Sequence, residues 1–282
     1  MPVAEALRDA DGDHIPDRLG QSLTLSGVIT STPRVLYNGG ASRTTMQDYT
    51  GGIRVVAGDS SLAQMGLQVG DVVTVTGVLA QKRGREEIQP GEIKRLGPGI
   101  APLPITATAA ELNSHRYEGG LVRISGRLLP AENLNPLSRT VKMEDATGKI
   151  TVYIARDFFQ NPTFIARLRE GGTAEIVGIA AQDDPAPPFD SGFRIVPRDA
   201  SDFVLRPSVP YLRIGLGAFA AFISAWIAHL WARRRAAEGQ AREVAALLTE
   251  LQRSQEAHRA AEVMLHSILQ NAPAVKIGRA HV

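Results

Sequence analysis

The first twenty residues carry aspartates at alternating positions, a spacing that could bind a metal ion. Asp9, Asp11, Asp13 and Asp17 stand at positions one, three, five and nine of a loop, and the backbone carbonyl of Ile15 falls at position seven. Oxygen ligands at this spacing suit calcium when the chain wraps around the ion. The sequence therefore predicts a weak calcium site made by these five residues. The alternative is an acidic linker exposed to solvent.

Two positions of this loop depart from the EF-hand pattern, although Gly12 permits a tight turn. The sixth position holds His14 where an EF-hand has glycine, and the twelfth holds Gly20 where it has a bidentate glutamate. The stretch DxDGDxxPDxxG resembles the calcium-binding aspartate-rich repeats of exported proteins. That resemblance implies calcium as the ligand of residues 9–17.

Few other groups in the sequence could support catalysis or bind a cofactor. The chain has no cysteine, which excludes disulfides, thiolate metal sites and cysteine nucleophiles. The six histidines form no constellation, and His14 and His115 stand in separate loops. Because no Ser-His-Asp set, phosphate-binding glycine loop or zinc motif is recognisable, we predict no catalytic site and no cofactor besides calcium.

Residues 1–210 contain one pattern twice, about 100 residues apart. The matching segments are residues 23–30 with 122–129, residues 46–57 with 143–155, and residues 67–81 with 168–182. The second pair shares the motif D-x-T-G-x-I, which is typical of a strand, a tight turn and another strand. A repeat of this kind indicates a duplicated module.

Each copy has the pattern of a small β-barrel. Apolar and polar residues alternate along its strands, and Gly27 and Gly126 interrupt strands where a barrel bends. Five strands with a helical stretch after the third resemble the OB-fold. We therefore expect an acidic segment at residues 1–20 and OB-like five-stranded barrels at residues 21–100 and 101–206.

The charge of these copies predicts no nucleic-acid partner. The chain has 31 Lys and Arg residues and 29 Asp and Glu residues, of which residues 211–282 hold nine and five. Residues 1–210 therefore hold 22 basic and 24 acidic residues. A net charge of −2 provides no excess of positive charge to bind the phosphates of a nucleic acid. Aromatic residues make up only 5% of the chain, and the run KRGREE at residues 82–87 is typical of a solvated turn.

An uncharged run follows the second copy. Residues 214–232 hold 19 residues without Asp, Glu, Lys or Arg, and a helix of that length is about 28 Å long against the roughly 30 Å of a bilayer core. Three arginines follow directly at residues 233–235. We therefore predict a transmembrane helix at residues 211–232, with residues 1–210 periplasmic and residues 233–282 cytoplasmic at a bacterial inner membrane. The alternative is a buried core helix.

A long helix is predicted beyond this run, at residues 233–270, which hold no proline and one glycine. Mainly apolar residues recur there at alternating steps of three and four, from position 244 to position 268. This spacing predicts a cytoplasmic coiled coil that makes the protein a homodimer. The alternative is a single amphipathic helix. The predicted fold class is thus mainly β, with two OB-like barrels, one transmembrane helix and a coiled-coil helix.

The last residues suggest an output domain. The segment MLHSILQNAPAVK at residues 264–276 resembles the start of a PAS domain, which we place at residues 271–276. The order of exported β-module, membrane helix, helical linker and PAS start resembles bacterial membrane-bound sensor histidine kinases. The resemblance implies the sensory and transmembrane segment of a receptor that responds to a periplasmic ligand or protein. The alternatives are a diguanylate cyclase-type receptor and a membrane-tethered scaffold without enzymatic output.

The sequence at each end of the chain predicts a difference from the natural protein. The opening MPVAEALRDADGD has no apolar segment of a signal peptide, so we expect the natural protein to begin upstream. Residues 277–282, IGRAHV, can be encoded by a string that resembles a sequencing adapter. We expect these six residues to be foreign to the natural protein.

Overall fold

A computed structural model describes residues 1–35, 40–207 and 211–271. For residues 207, 211–218, 266 and 268–271 it describes the backbone only. The chain divides into two compact units, Met1–Ser208 and Val209–Val282, and each is described by itself. Except for the backbone of Asn271, the predicted PAS start and the six-residue tail lie outside the described residues.

The first barrel closes from five strands that follow a short helix α1 (Val3–Ala6). The strands are β1 (Ser22–Val35), β2 (Ser42–Gln47), β3 (Gly52–Ala57), β4 (Asp71–Lys82) and β5 (Arg85–Pro98), with helix α2 (Ser61–Gln64) between β3 and β4. The strand order is β1-β2-β3-β5-β4, and β4 returns to pair with β1. Only β3 and β5 pair in parallel. This is the topology of an OB-fold.

The second barrel repeats this arrangement and adds a strand at each side. Its elements are β6 (Ile105–Thr106), helix α3 (Ala109–Leu112), β7 (Leu121–Leu128), β8 (Thr140–Asp145), β9 (Gly148–Tyr153), helix α4 (Pro162–Glu170), β10 (Gly172–Ala181), β11 (Arg194–Val196) and β12 (Phe203–Pro207). Strands β7 to β11 close through the pairs β7–β10 and β9–β11, while β6 and β12 lie outside the ring. The predicted pair of tandem five-stranded barrels is confirmed.

Each barrel has its own apolar core, formed by the inward-facing residues of its alternating strands. The two copies fill matching positions with the same residue types. Met46 in the first core and Met143 in the second are both fully buried, as are Ile53 and Ile150. The repeat seen in the sequence is therefore also a repeat in packing.

The D-x-T-G motif of the first copy binds the helix that precedes the barrel. The Asp48 carboxylate accepts the backbone N–H of Val3 at 2.9 Å and that of Thr50 at 2.7 Å. The Thr50 hydroxyl oxygen accepts the N–H of Ala4 at 3.0 Å. These contacts satisfy N–H groups at the start of α1 that have no partner inside the helix.

The second copy repeats the contact at the equivalent positions. The Asp145 carboxylate accepts the N–H of Ala109 at 2.7 Å, and the Thr147 hydroxyl oxygen accepts the N–H of Ala110 at 3.0 Å. Buried Ala109 and Leu112 of α3 join the second core, just as Val3 of α1 joins the first. The motif therefore attaches a short helix to each barrel.

The predicted transmembrane helix is wrong. Helix α5 (Tyr211–Asn271) spans 61 residues, but no helix among the described residues combines the length and the apolar character needed to cross a membrane. Farther along α5, Val244, Leu247 and Leu251 are exposed.

Candidate functional site

A cleft of about 850 Å³ lies between the two barrels, and eight of its 21 lining residues are arginines. We call it the arginine cleft. The first barrel contributes Arg34, Arg43, Arg54, Arg83 and Arg85, and the second contributes Arg139, Arg194 and Arg198. Two aspartates, Asp183 and Asp199, are its acidic lining residues. Eight arginines against two aspartates give the lining a formal charge of +6, and Asp157, Glu87 and Asp202 each pair with one of these arginines from outside the lining.

Strands β2 and β3 position two of the five arginines of the first barrel. Their side chains alternate between the two faces of the sheet, so Met46 and Ile53 enter the core while Arg43 and Arg54 lie outside it. Thr45 on β2 pairs with Arg54 on β3 and lines the same cleft. This outer face of the second and third strands is where OB-folds bind oligonucleotides and oligosaccharides.

The equivalent face of the second barrel supplies an aromatic ring between two arginines. Tyr153 ends β9, Arg194 begins β11, and Arg139 directly precedes β8. The guanidinium carbons of Arg139 and Arg194 lie 5.0 and 5.6 Å from the centre of the Tyr153 ring. Both distances fit cation–π contacts. The aromatic ring that lines the cleft therefore belongs to this barrel.

Only part of the positive charge is neutralised inside the cleft. The Asp183 carboxylate lies 2.5 Å from Arg83 Nε, 2.8 Å from Arg194 Nη2 and 3.6 Å from Arg85 Nη2. Within the described part of the chain, no carboxylate forms an ion pair with Arg43 or Arg139. Those two cations can therefore take up an anionic ligand without first breaking an ion pair.

The pKa values of the inner arginines reflect their crowding. Burial, together with repulsion from the charges of Arg85 and Arg43, lowers the pKa of Arg54 to about 10, although the Glu87 carboxylate 3.5 Å away opposes the shift. Burial likewise lowers the pKa of Arg43 and of Arg85. All three stay cationic at neutral pH. An anion in the cleft would relieve their mutual repulsion.

Polar contacts between the barrels hold the two faces of the cleft at a fixed spacing. The Arg34 guanidinium contacts the Asp157 carboxylate at 2.6 Å, and Arg198 Nη1 donates to the Thr30 carbonyl at 3.1 Å. Away from the cleft, the Leu121 N–H donates to the Gln47 side chain at 3.0 Å. Arg34 and Arg198 therefore connect the two barrels and also line the cleft.

The expectation that the chain lacks a basic groove is wrong. The net charge of residues 1–210 averages over surfaces of opposite sign, whereas the cleft collects eight arginines from distant parts of the chain. The KRGREE run is also not a uniform solvated turn. Arg83 and Arg85 line the cleft, while Glu86 lines a separate small cavity and Glu87 is buried.

The predicted calcium loop brings three of its four aspartates together. Carboxylate oxygens of Asp9, Asp11 and Asp17 lie within 4.8 Å of one another. The Asp13 carboxylate instead accepts the N–H of Ile15 at 2.8 Å. The loop is closed by its own hydrogen bonds, since the Asp9 carboxylate accepts the N–H of Gly12 and of His14 at 2.8 and 2.9 Å.

The crowding of carboxylates changes how the loop titrates. Slight burial would raise the pKa of Asp9, but hydrogen bonds from the N–H groups of His14 and Gly12 outweigh it and lower that pKa. The pKa of Asp11 is raised by its hydrogen bond with Asp9 and by repulsion from Asp13. Three clustered oxygens fit a hard cation such as calcium. Calcium binding by Asp9, Asp11, Asp13, Ile15 and Asp17 stays a prediction.

The interpretation of the histidines as isolated is wrong. The rings of His14 and His115 stack with their centres 4.1 Å apart and their planes at 22°. They line a cavity of about 120 Å³ together with Glu86 and Glu118. Titratable groups from three distant parts of the sequence thus meet at the junction of the N-terminal segment and both barrels. Only the fold brings them together, because no spacing in the sequence links residues 14, 86 and 115.

The two glutamates of this junction have pKa values well above that of an ordinary glutamate. Burial raises the pKa of Glu86 to about 8, and the nearby charge of Glu118 adds to the effect. Burial also raises the pKa of Glu118 to about 8, although Arg85 and Arg54 oppose the shift. Arg54 and Arg85, which line the arginine cleft, are therefore close enough to this junction to affect the pKa of Glu118.

Comparisons with known proteins identify similar folds. No protein-family model matches the chain, and no curated protein is similar to it. It is similar to the small single-stranded DNA-binding protein of Streptomyces coelicolor, with 24% identity over 27% of this chain and 91% of that one and a TM-score of 0.24. It is also similar to a domain of replication protein A from Methanococcus maripaludis, with 22% identity over 29% and 90% of the two chains and a TM-score of 0.25.

A third similar structure is a replication protein A heterotrimer bound to single-stranded DNA. The identity is 13%, the match covers 71% of this chain and 52% of that one, and the TM-score is 0.29.

The predicted sensory receptor is therefore corrected, together with its histidine kinase, its diguanylate cyclase and scaffold alternatives and its inner-membrane topology. Each of them required the membrane helix that is missing from the described residues. The exclusion of a nucleic-acid partner is corrected as well, because its premise, the lack of a basic groove, fails at the arginine cleft.

Proposed function

We propose that the two barrels bind single-stranded nucleic acid in the arginine cleft and hold its phosphates with little dependence on base sequence. The observation that carries the proposal is the +6 formal charge of a cleft built from the ligand-binding faces of both barrels. Arginine suits this role because its planar fork of donors matches the geometry of a phosphate. Arg43 and Arg139, which no carboxylate neutralises among the described residues, are the first candidates for phosphate contacts.

The second barrel supports a preference for single strands over duplexes. The second barrel places the Tyr153 ring within cation–π distance of the guanidinium groups of Arg139 and Arg194. A single strand can turn its bases toward such planes, whereas a duplex keeps its bases stacked inside. Stacking on flat groups tolerates any base, since every base has a π-face.

A small phosphorylated ligand is the second candidate, because a cleft of about 850 Å³ lies within the size range of small-molecule sites. The two candidates differ in their dependence on ligand length. Binding that strengthens from a mononucleotide to an oligonucleotide of about 20 residues supports a strand-binding groove. Binding that is already complete with a mononucleotide supports the small ligand.

The decisive experiment compares matched charge removals by fluorescence anisotropy with a labelled oligonucleotide. Arg43→Ala with Arg139→Ala should weaken binding by about tenfold per arginine. It should also reduce the slope of log affinity against log salt by about 1.4, because each phosphate contact on a single strand contributes about 0.7. Arg242→Ala with Arg253→Ala removes the same charge from exposed positions of α5.

The proposal predicts that the α5 variant binds nearly as tightly as the unaltered protein. Equal losses in the two double variants would show that binding follows total charge and not the cleft. Unchanged affinity in the cleft variant would reject the proposed site.

A further inference from the structure

A small cavity at the junction of three segments has the features of an unrecognised metal site. Residues 7–16 of the N-terminal segment, strand β5 and the short turn at residues 115–118 meet around a cavity of about 120 Å³. Its polar lining consists of Asp9, His14, Glu86, His115 and Glu118. Two imidazoles and three carboxylates around one cavity form a donor set that suits a divalent ion.

His115 makes one of the contacts that a metal-binding histidine makes. Its Nδ1 lies 3.3 Å from a carboxylate oxygen of Glu118. Its Nε2 is buried and has no hydrogen-bond partner among the described residues, and the same is true of Glu118 Oε1. Metal-bound histidines almost always donate their second ring nitrogen to a carboxylate, a carbonyl or water. The pair therefore presents a free, buried nitrogen beside the cavity.

His14 and Glu86 supply the remaining ligand groups. The His14 ring is stacked on His115, and its Nδ1 lies 4.0 Å from the Asp9 carboxylate. The Glu86 side chain lies on the cavity from the side of β5, with Gln81 Nε2 3.4 Å from one of its oxygens. A buried carboxylate is stabilised by a cation.

We propose that His14, His115 and Glu86 bind a divalent transition-metal ion of the Zn²⁺ class, with Glu118 as a positioning residue for His115. Imidazole nitrogens favour this class over calcium and magnesium, which prefer oxygen ligands. Among the described residues, only Asp9, Asp11 and Asp17 already bring three ligand atoms within 4.8 Å of one another. His14, His115 and Glu86 do not, and because their two rings are stacked nearly face to face, the imidazoles must turn toward the ion for it to bind. The role of this site is separate from ligand binding in the arginine cleft.

The test uses the full chain and Co²⁺, whose visible absorption reports coordination by nitrogen ligands. We expect one equivalent of Co²⁺ to give an absorption band that Zn²⁺ displaces. His115→Gln should weaken Zn²⁺ binding by at least about 100-fold in calorimetry, and Glu118→Gln by about tenfold with a shifted band. Asp11→Asn with Asp17→Asn disables the aspartate cluster, and His258→Gln removes a histidine of α5; both should leave the band unchanged.

Several outcomes would overturn the proposal. One is a Co²⁺ spectrum without a visible band, which would leave water as the occupant of the cavity. Another is a band that persists in His115→Gln, or one that disappears in the Asp11/Asp17 variant. If His115→Gln fails to fold by circular dichroism, Glu86→Gln answers the same question, since it keeps the side-chain shape and removes the charged ligand.

Discussion

The backbones of Gly52 and Gly119 are in direct contact where the two barrels meet. A Cβ atom on Gly52 would lie 2.1 Å from the Gly119 carbonyl oxygen, and one on Gly119 would lie 2.3 Å from the Gly52 carbonyl oxygen. Gly119 also has a φ of +73°. Neither position can therefore accept a side chain unless the backbone moves. This contact sets how closely the barrels approach and thus the spacing of the arginine cleft.

We expect Gly52→Ala to separate the barrels and weaken both stability and oligonucleotide binding. An added methyl group at a tightly packed contact lowers the free energy of unfolding by about 1–3 kcal/mol. The altered spacing between the barrels also misplaces the arginines of the cleft. Gly58→Ala is the matched control, because its Cβ would meet no atom within 4 Å. Urea denaturation and fluorescence anisotropy measure the two effects. Equal denaturation midpoints for the two variants would contradict the role given to this contact.

Asp183→Asn should have opposite effects on binding and on stability. Asp183 neutralises Arg83, Arg85 and Arg194, so its loss frees positive charge and should tighten oligonucleotide binding severalfold. The same change removes ion pairs between the barrels and should lower the free energy of unfolding by about 1 kcal/mol, since the pairs are partly exposed. Weaker oligonucleotide binding together with an unchanged free energy of unfolding would contradict this expectation.

The two motif aspartates should make stability depend on pH. Burial would raise the pKa of Asp48, but hydrogen bonds from Thr50, Val3 and Gly51 outweigh it and lower the pKa; Asp145 is lowered in the same way. A lowered pKa stabilises the fold at neutral pH, and that stabilisation is lost as the pH falls through the lowered value. Asp48→Ala and Asp145→Ala should each destabilise by about 1–2 kcal/mol at neutral pH.

The stability difference between each variant and the unaltered protein should shrink as the pH is lowered from about 7 to about 3. Denaturation midpoints over this range measure it. Asp190→Ala, at an exposed aspartate, serves as the control and should have little effect at any pH. A difference that widens in acid would contradict the assigned sign.

Calcium should bind the aspartate loop weakly and stabilise it. The three clustered carboxylates of Asp9, Asp11 and Asp17 repel one another, and a cation offsets this repulsion. We expect a Kd of about 10⁻⁴–10⁻³ M, as in extracellular calcium modules. Millimolar calcium should raise the melting temperature, and Asp11→Asn with Asp17→Asn should abolish that rise while His115→Gln preserves it. No calcium-dependent rise would favour the acidic-linker interpretation.

The barrels could be predicted from the sequence because their determinants are local and occur twice. Alternation along β1 to β5 and the repeated D-x-T-G motif both follow from short-range geometry. The arginine cleft could not be predicted in this way. Arg43, Arg139 and Arg194 are distant in the chain, and a net charge summed over 210 residues hides a surface on which they meet.

The stacked histidines were missed for the same reason. His14 and His115 are 101 positions apart, and only the packing of both barrels against the N-terminal segment brings their rings together. The transmembrane prediction failed differently. It was based on the absence of charge over residues 214–232, whereas no helix among the described residues is both long and apolar enough to cross a membrane.

The way Asp48 and Asp145 hold a helix defines what was duplicated in this chain. Each copy of the motif binds a helix that precedes its own barrel, α1 in one case and α3 in the other. The ancestral unit was therefore a helix with its barrel and not the barrel alone. A fragment of the second half that starts at β7 would leave Asp145 without the helix it binds and expose the surface that Ala109 and Leu112 cover. The natural place to divide the two halves is the stretch at residues 99–104, between β5 and β6.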